Sequence, residues 1–426
     1  MMAREMKDSG IKWVGKIPIS WNVMPNKYLM RKVKNIHPIY SGEDILSLTM
    51  DGVIVRDLEN PSGKMPTTFD GYQEISKGNL LMCLFDIDVT PRCIGLVKNN
   101  GLTSPAYSQF ILNDSNYAPY YYYYYLMIDH TKELLHLAKN LRHSLTEEQL
   151  GFVPTPVPPI DEQKKIADYL DEKCAEIEDL KADIQSQIDI LENYKKSVIT
   201  EAVTKGLDPN VEMKDSGIEW IGEIPKRWNV HPIYFYFGER KHKNLLGNED
   251  NLLSLSYGNI IRKDINTNGG LLPDTFNTYN IVEKNDIIIR PTDLQNDKRS
   301  LRTGIVKEHG IITSAYIALR SIKNVNENYF HYLLHSYDIK KVFYNMGNGV
   351  RQGLNFSEFS KLMVLQPSID EQNQIVKYLD QKCAEIDKTI KEKNEQLDVL
   401  KQYKKSLIYE YVTGKKEVSN SNGERL

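Results

Sequence analysis

The sequence predicts an α+β protein: two tandem mixed α/β domains, separated and joined by two long helices. Those helices form an intramolecular antiparallel coiled coil with pseudo-two-fold symmetry. Three observations predict this. MKDSGIKWVGKIPISWNV, from Met6, recurs as MKDSGIEWIGEIPKRWNV from Met213, with 13 of 18 positions identical. The stretch from Ile160 to Gly206 carries a seven-residue apolar spine, and a copy of it starts at Ile369, 209 residues later. Between these markers lie short apolar and β-branched runs bounded by Gly, Asn, Asp and Pro, the composition of strands and turns. The expected divisions are 1–157 (opening segment and first domain), 158–206 (first helix), 207–366 (linker and second domain), 367–414 (second helix) and 415–426 (a flexible tail).

In the first domain, strands are expected at 45–49, 80–85 and 94–97, then a helix over 119–139. Its counterpart has strands at 252–256, 287–290 and 311–319 and a helix over 328–344. Each domain leaves through a proline-containing segment, 153–159 and 366–367, which favours an extended approach to the long helix. Six consecutive tyrosines, Tyr120 to Tyr125, invite comparison with a platform on which single-stranded nucleic acid stacks. On a helix, however, they point all round the axis, so core packing with an amphipathic surface is expected. The domain interiors, such as 51–77 against 258–284, diverge far more than the edges and the helices.

In the first long helix Leu170, Ile177, Ile184, Leu191 and Val198 stand at seven-residue intervals, with Ile166, Leu180 and Ile188 at intermediate core positions. Ile375, Leu379, Ile386, Ile390, Leu397, Leu400 and Leu407 form the second spine, where Lys393 replaces the residue matching Ile184. Asp161 and Glu162 suit a helix N-terminus, and Gly206 lies just past the end. Roughly 45 helical residues make a rod on the order of 65 Å, too long to bury its stripe alone. Two independent helices, each packed on its own domain, are one reading. Pairing within the chain is preferred, because the two matching faces are supplied one to one. The first helix runs from domain one to domain two and the second leaves domain two, so full-length pairing is antiparallel. Segment 6–23 then belongs near the end of the second helix, as 213–230 does near the end of the first.

Composition excludes several classes. Hydrophobic residues make up 41% and charged residues 26%, ordinary for a water-soluble chain, and no apolar run reaches the 18 or more residues of a membrane span. The charged start is unlike a signal peptide. Cys83, Cys93, Cys174 and Cys383 show neither a CxxC pair nor zinc-ligand spacing, so free thiols in a reducing cytoplasm are expected. Net charge is −3 overall; residues 160–204 carry −6 and 369–413 carry −1, leaving mildly basic domains beside an acidic rod. Gly10 to Lys16 imitates a phosphate-binding loop. Ile17 occupies the Ser/Thr position, though, and the repeat has Glu223 where the lysine should be. GxGxxG, HExxH, GxSxG and an Asn-Pro-Pro-Tyr-like tetrapeptide are all missing. No catalysis by this chain alone is expected, and no bound cofactor or metal.

The ordered pair of MKDSGI-W-G-IP--W, Pro then Ile-Asp-Glu-Gln, Tyr-Leu-Asp--Lys-Cys-Ala-Glu-Ile and Tyr-Lys-Lys-Ser resembles the specificity subunit of type I restriction-modification systems, over nearly all of residues 6–414. The resemblance implies two target recognition domains, each reading one half of a split, asymmetric duplex DNA site. The paired helices would act as a ruler and as the dock for two methyltransferase subunits and the restriction/translocase subunits. S-adenosylmethionine and ATP with Mg would belong to those partners. It also implies a bacterial or archaeal cytoplasmic protein with no membrane partner. A coiled-coil adaptor joining two protein-binding domains without DNA is the alternative, and a nuclease with an unrecognised site is a third reading.

The candidate DNA-binding residues follow from side-chain chemistry. The loops Leu-Arg-His-Ser-Leu (Arg142, His143) and Val-Arg-Gln-Gly-Leu (Arg351, Gln352) each join a terminal helix to an exit strand. Arg pairs with guanine O6/N7 and Gln with adenine N6/N7; phosphate contacts or bracing of the coil are the competing roles for Arg142 and Arg351. In domain two, Arg290, Gln295, Asn296, Lys298, Arg299 and Arg302 form a basic polar stretch; the equivalent span in domain one is sparser, with Arg92, Lys98, Asn99 and Asn100, and Lys64 in PSGKMP adds one more.

Overall fold

The computed structural model describes residues 4–61, 63, 65–90, 92–138, 143–265, 273, 275–292, 301–344, 346 and 353–418. The proposed tail from 419 and the candidates Lys64, Arg142, Gln295, Asn296, Lys298, Arg299, Arg351 and Gln352 lie outside the described residues. The chain divides into two compact units, Met1–Ile184 with Asn394–Leu426, and Gln185–Lys393.

In the first unit, among the described residues, strands Ile94–Leu96, Leu80–Met82, Ser108–Leu112 and Met30–Val33 form a four-stranded antiparallel sheet in that order. Gly101–Thr103, Gln73–Ile75 and Asn35–Ile36 form a second sheet, and Leu46–Thr49 pairs with Gly52–Val55 as a hairpin. Helix α1 (Ala118–Thr131) starts with Pro119 in its first turn, where a missing N–H is harmless. It stops eight residues earlier than its apolar pattern suggested. Lys132 adopts φ 54, its N–H closes onto the Asp129 and Ile128 carbonyls, and the chain continues as a 3-10 turn over Glu133–Leu137. Tyr120, Tyr121, Tyr123, Tyr124 and Tyr125 are buried. Several of their hydroxyls are committed inside the unit: Tyr120 to the Val412 carbonyl (2.9 Å), Tyr121 to Asn116 (2.8 Å), Tyr123 to Asp171 (2.6 Å). The tyrosine run is core, not a stacking platform.

α2 (Glu147–Gly151) opens on a capping box at Thr146. Strand Pro154–Val157 then pairs with Asn22–Pro25 and delivers the chain to α3 (Ile160–Lys205), 46 residues long. The N-terminal half of α3 packs against the C-terminal half of α6 (Ile369–Val412) within this unit. The rings of Tyr169 and Tyr411 lie 4.5 Å apart, and Lys404 bonds Glu178 at 2.8 Å. Advancing nine residues along α3 retreats seven along α6, so the pairing is antiparallel. The opening hairpin, Met6–Asp8 with Lys16–Pro18, sits at this end as expected: Ile11, Val14, Ile17 and Trp21 share a core with Leu407, Ile408 and Val412.

The second unit repeats these parts. Among its described residues, Phe237–Glu239, Ile317–Ser321, Ile287–Ile289 and Thr303–Ile305 make the four-stranded sheet. The run 311–319 is not one strand. Gly310–Ile312 pairs with Asn280–Val282, Ile317–Ser321 joins the other sheet, and a turn between them closes from Tyr316 N–H to Thr313. The Thr313 hydroxyl, accepting from Ala315 N–H, stabilises that turn over continued pairing. α4 (Glu327–Ile339) is capped by Asn326, and α5 (Phe356–Phe359) precedes exit strand Met363–Gln366. Lys195 pairs with Asp387 and Lys393 with Gln187, again antiparallel along α3 and α6.

Of the spine residues, Ile166, Leu170, Ile177, Ile188, Val198, Ile375, Leu379, Ile386, Leu397 and Leu407 are buried, whereas Ile184, Leu191, Ile390 and Leu400 are half-buried. Leu180 is a correction: it is 51% exposed, because its position falls outside the seam that two helices can cover. Lys393, the polar break in the spine, reaches the Gln187 amide instead of sitting in an apolar layer. Leu170→Ala and Leu379→Ala, at fully buried positions, should each cost about 2–5 kcal/mol. Leu180→Ala should change stability by less than about 0.5 kcal/mol, all three read from denaturant unfolding of the full chain.

Candidate nucleic-acid interface

The interface starts from how each domain is fixed to its helices. Gln163, fully buried in the first turn of α3, accepts from Tyr117 N–H at 2.8 Å and donates to the Pro158 carbonyl at 2.9 Å. Gln372 does the same in α6, accepting from Asn326 N–H (2.8 Å) and donating to Pro367 (3.0 Å). Beside each, a glutamate receives an indole: Trp21 Nε1 to Glu162 at 2.9 Å, Trp228 Nε1 to Glu371 at 3.2 Å. Arg4 pairs with Glu162 and Arg227 with Glu371, both at 2.6 Å. Tyr329 caps the Val203 carbonyl as Tyr120 caps Val412, and Tyr332 reaches Asp380 as Tyr123 reaches Asp171. The Ile-Asp-Glu-Gln motif is therefore a joint between domain and rod. Its recurrence in both halves was the visible signal, but only the fold shows what it bonds.

On this frame the described residues flanking two suspected loops are bonded to each other in each unit. In the first, Ile87 N–H bonds the His143 carbonyl (3.2 Å) and Leu145 N–H bonds the Leu84 carbonyl (2.8 Å). The loop before α2 is thus tied to the segment that ends at Arg92. In the second, Leu354 N–H bonds the Pro291 carbonyl at 3.0 Å, tying the chain just after Gln352 to the start of the basic stretch. His143 is exposed, at φ 42, with its ring 3.7 Å from Asp88. Arg92 and Arg290 are half-buried. Lys98 and Asn99 are exposed but follow the far end of strand Ile94–Leu96, away from Arg92.

Arg302 is not a groove residue. It is fully buried, its Nε donates to the Tyr344 hydroxyl at 2.9 Å, and Nη1 donates to the Thr292 carbonyl. Its backbone N–H donates to Asp338, a carboxyl that burial pushes above its ordinary range. Cys93 holds the same place in the first unit. Its N–H bonds Asp129 at 2.7 Å, and burial raises its thiol to about 12. In both, a lysine in the left-handed region, Lys132 (φ 54) or Lys341 (φ 59), lies beside that aspartate. The shared aspartate pins a helix end to the strand; basic character in the sequence said nothing about which way Arg302 points. Further along α4, burial lowers His331 to about 3 and His335 to about 4, and no partner is recorded for His331 Nε2 or His335 Nδ1 among the described residues. Among the described residues no group of three or more His, Cys, Asp or Glu is placed to hold a metal, and no helix is long and apolar enough to cross a membrane.

A duplicated sheet-and-helix domain, mounted on paired helices and presenting divergent loops, defines a class of sequence-reading scaffold. The chain belongs to the type I restriction modification DNA specificity domain family, whose model matches residues 93–189 and 243–398. It is 25% identical to the putative type I restriction enzyme MjaX specificity subunit of Methanocaldococcus jannaschii, over 94% of this chain and 95% of that protein. The type I restriction enzyme MjaVIII specificity subunit of the same organism is 24% identical over 63% of this chain and 64% of its own length. A solved chain from a type I R-M system, described for its complex assembly and conformational transition, shares the fold at TM-score 0.67. It is 13% identical, over 93% of this chain and 98% of that one. The chain's part is sequence recognition, not catalysis.

Arg302→Leu should lower stability by about 1–3 kcal/mol for each buried partner left unsatisfied, measured by thermal unfolding. For His331 and His335 the folded pKa lies below the unfolded 6.5, so their contribution is complete above pH 6.5 and is lost progressively as pH falls toward 3. The second unit should therefore lose stability across that window, and a His331→Phe/His335→Phe variant should lose less, as read from melting temperature against pH.

Proposed function

We propose that this chain reads a bipartite, asymmetric duplex DNA site, one half-site per domain, and carries methyltransferase and restriction subunits on its helices. The observation that carries the reading is the contrast between mounting and surface. The joints at Gln163 and Gln372, Trp21 and Trp228, and Tyr120 and Tyr329 repeat, while the loops they support differ in sequence. One frame bearing two unlike faces suits two unlike half-sequences. Helices α3 and α6 run unbroken for 46 and 44 residues, and such a helix resists the change of about 3.4 Å that one base pair of spacer would demand.

The proposed contacts are Arg142 and His143 with Arg92 in one domain, and Arg351 and Gln352 with Arg290, Gln295, Asn296, Lys298 and Arg299 in the other. Lys64, Lys98 and Asn99 are assigned contacts to the DNA backbone. S-adenosylmethionine and ATP with Mg are assigned to the partners, and the assembly to the cytoplasm of a bacterium or archaeon.

Co-expression with its neighbouring genes, followed by genome-wide mapping of methylated adenine, should give two short sequences at one fixed spacing. Methylation that ignores the presence of this chain would defeat the reading. Arg351→Ala should weaken binding to sites carrying the second half-sequence by about 1–3 kcal/mol and relax discrimination in that half, whereas equal loss on every sequence would mark a phosphate contact.

A further inference from the structure

Each domain carries a hairpin, Leu46–Thr49 with Gly52–Val55 and Leu253–Ser256 with Asn259–Arg262, whose first strand the sequence predicted and whose return strand it did not. Each lies across a strand through a close approach at glycine. A Cβ on Gly95 would stand 2.5 Å from Val53 Cγ2 and 2.8 Å from Leu48 Cδ1; one on Gly304 would stand 2.6 Å from Leu255 Cδ1 and 3.1 Å from Ile260 Cδ1. Any larger residue would lift the hairpin off, so the two glycines seat it firmly.

The turn of each hairpin rests beside the suspected DNA-facing loops. A Cβ on Gly52 would lie 3.5 Å from Arg92 Nη1, and one on Gly258 would lie 3.1 Å from Leu301 Cδ1. Arg92 and Leu301 occupy equivalent places 209 residues apart, at the end of the loop leading to strand Ile94–Leu96 or Thr303–Ile305. At the tip of one hairpin stands Met50, 61% exposed; at the other, Tyr257, 79% exposed. Tyr257 is held at φ 46, a left-handed conformation uncommon for a bulky side chain. A bulky, largely bare side chain is thus raised on a fixed arm next to Arg92 in one unit and beside the end of RPTDLQNDKRSLR in the other.

We propose that these two tips are DNA wedges: Tyr257 stacks on, or inserts beside, a base step of the second half-site, and Met50 does so in the first. The inference rests on the DNA-reading function proposed above and adds two specificity-determining residues to it. Apolar and aromatic wedges at a groove surface partly unstack a step, and their cost depends on how easily that step deforms. Tyr and Met, differing in shape and stacking face, would favour different steps, in keeping with two unlike half-sequences. A protein partner is the competing occupant; the Arg92 guanidinium beside the first tip and Lys307 in the cleft that Tyr257 lines favour nucleic acid.

The test uses the complex of the full chain with its methyltransferase subunits and a duplex of the mapped site, carrying 2-aminopurine at each position in turn. Wild type should brighten at one step in each half-site. Tyr257→Ala should abolish the signal in the second half only and weaken binding at least tenfold, with an unchanged salt slope and melting temperature. Tyr257→Phe and Tyr257→Trp should keep both signal and affinity, and Met50→Ala should silence the first half only. Binding within twofold of wild type and an unaltered fluorescence pattern for Tyr257→Ala would overturn the wedge while leaving the DNA-reading function intact. Tyr257→Phe behaving like Tyr257→Ala would replace stacking by a hydroxyl contact and likewise overturn it. Failure of the wild-type complex to bind any duplex site-specifically would overturn both.

Discussion

A buried amide side chain at the first turn of each long helix holds three pieces of chain in one geometry. Gln163 ties together the exit strand through Pro158, the start of the terminal helix through Tyr117, and α3 itself; Gln372 does the same through Pro367 and Asn326. Both amides are essentially inaccessible to water, so loss of either partner leaves a buried polar group unsatisfied, which is expensive. That expense makes the joint a single arrangement, and the rest of each unit is built outward from it.

The opposite end of the other helix completes each joint. Tyr120 and Tyr329 bond carbonyls at the C-terminal ends of α6 and α3, and Trp21 and Trp228 fill the space between that end and the glutamate of the helix start. A unit therefore includes the beginning of one helix and the end of the other, and its core is incomplete without both. Antiparallel pairing follows from this requirement as much as from the apolar spine.

Upon this frame the two domains diverge where divergence costs little. Cys93 and Arg302 occupy one position and both present an N–H to an aspartate, yet Arg302 turns inward to Tyr344 and Thr292. The hairpin tips and the loops beside them can change without touching Gln163, Gln372 or the tyrosines. A reader of DNA needs that separation: a mounting that does not move when the words it reads are altered.

Much of the architecture was legible in the residues. The repeat at 209, the seven-residue spine and the Pro-to-helix transition fixed the duplication, the long helices and their direction, because periodicity and chain connectivity are properties of the sequence itself. Strand limits were legible only approximately, and the run 311–319 concealed a turn, since a hydroxyl-capped turn and a strand look alike in composition. Tertiary structure alone decided that the tyrosine run is core, that Leu180 faces water and that Arg302 is buried. Side-chain direction depends on which partners come within bonding distance, and those partners lie dozens to hundreds of residues away.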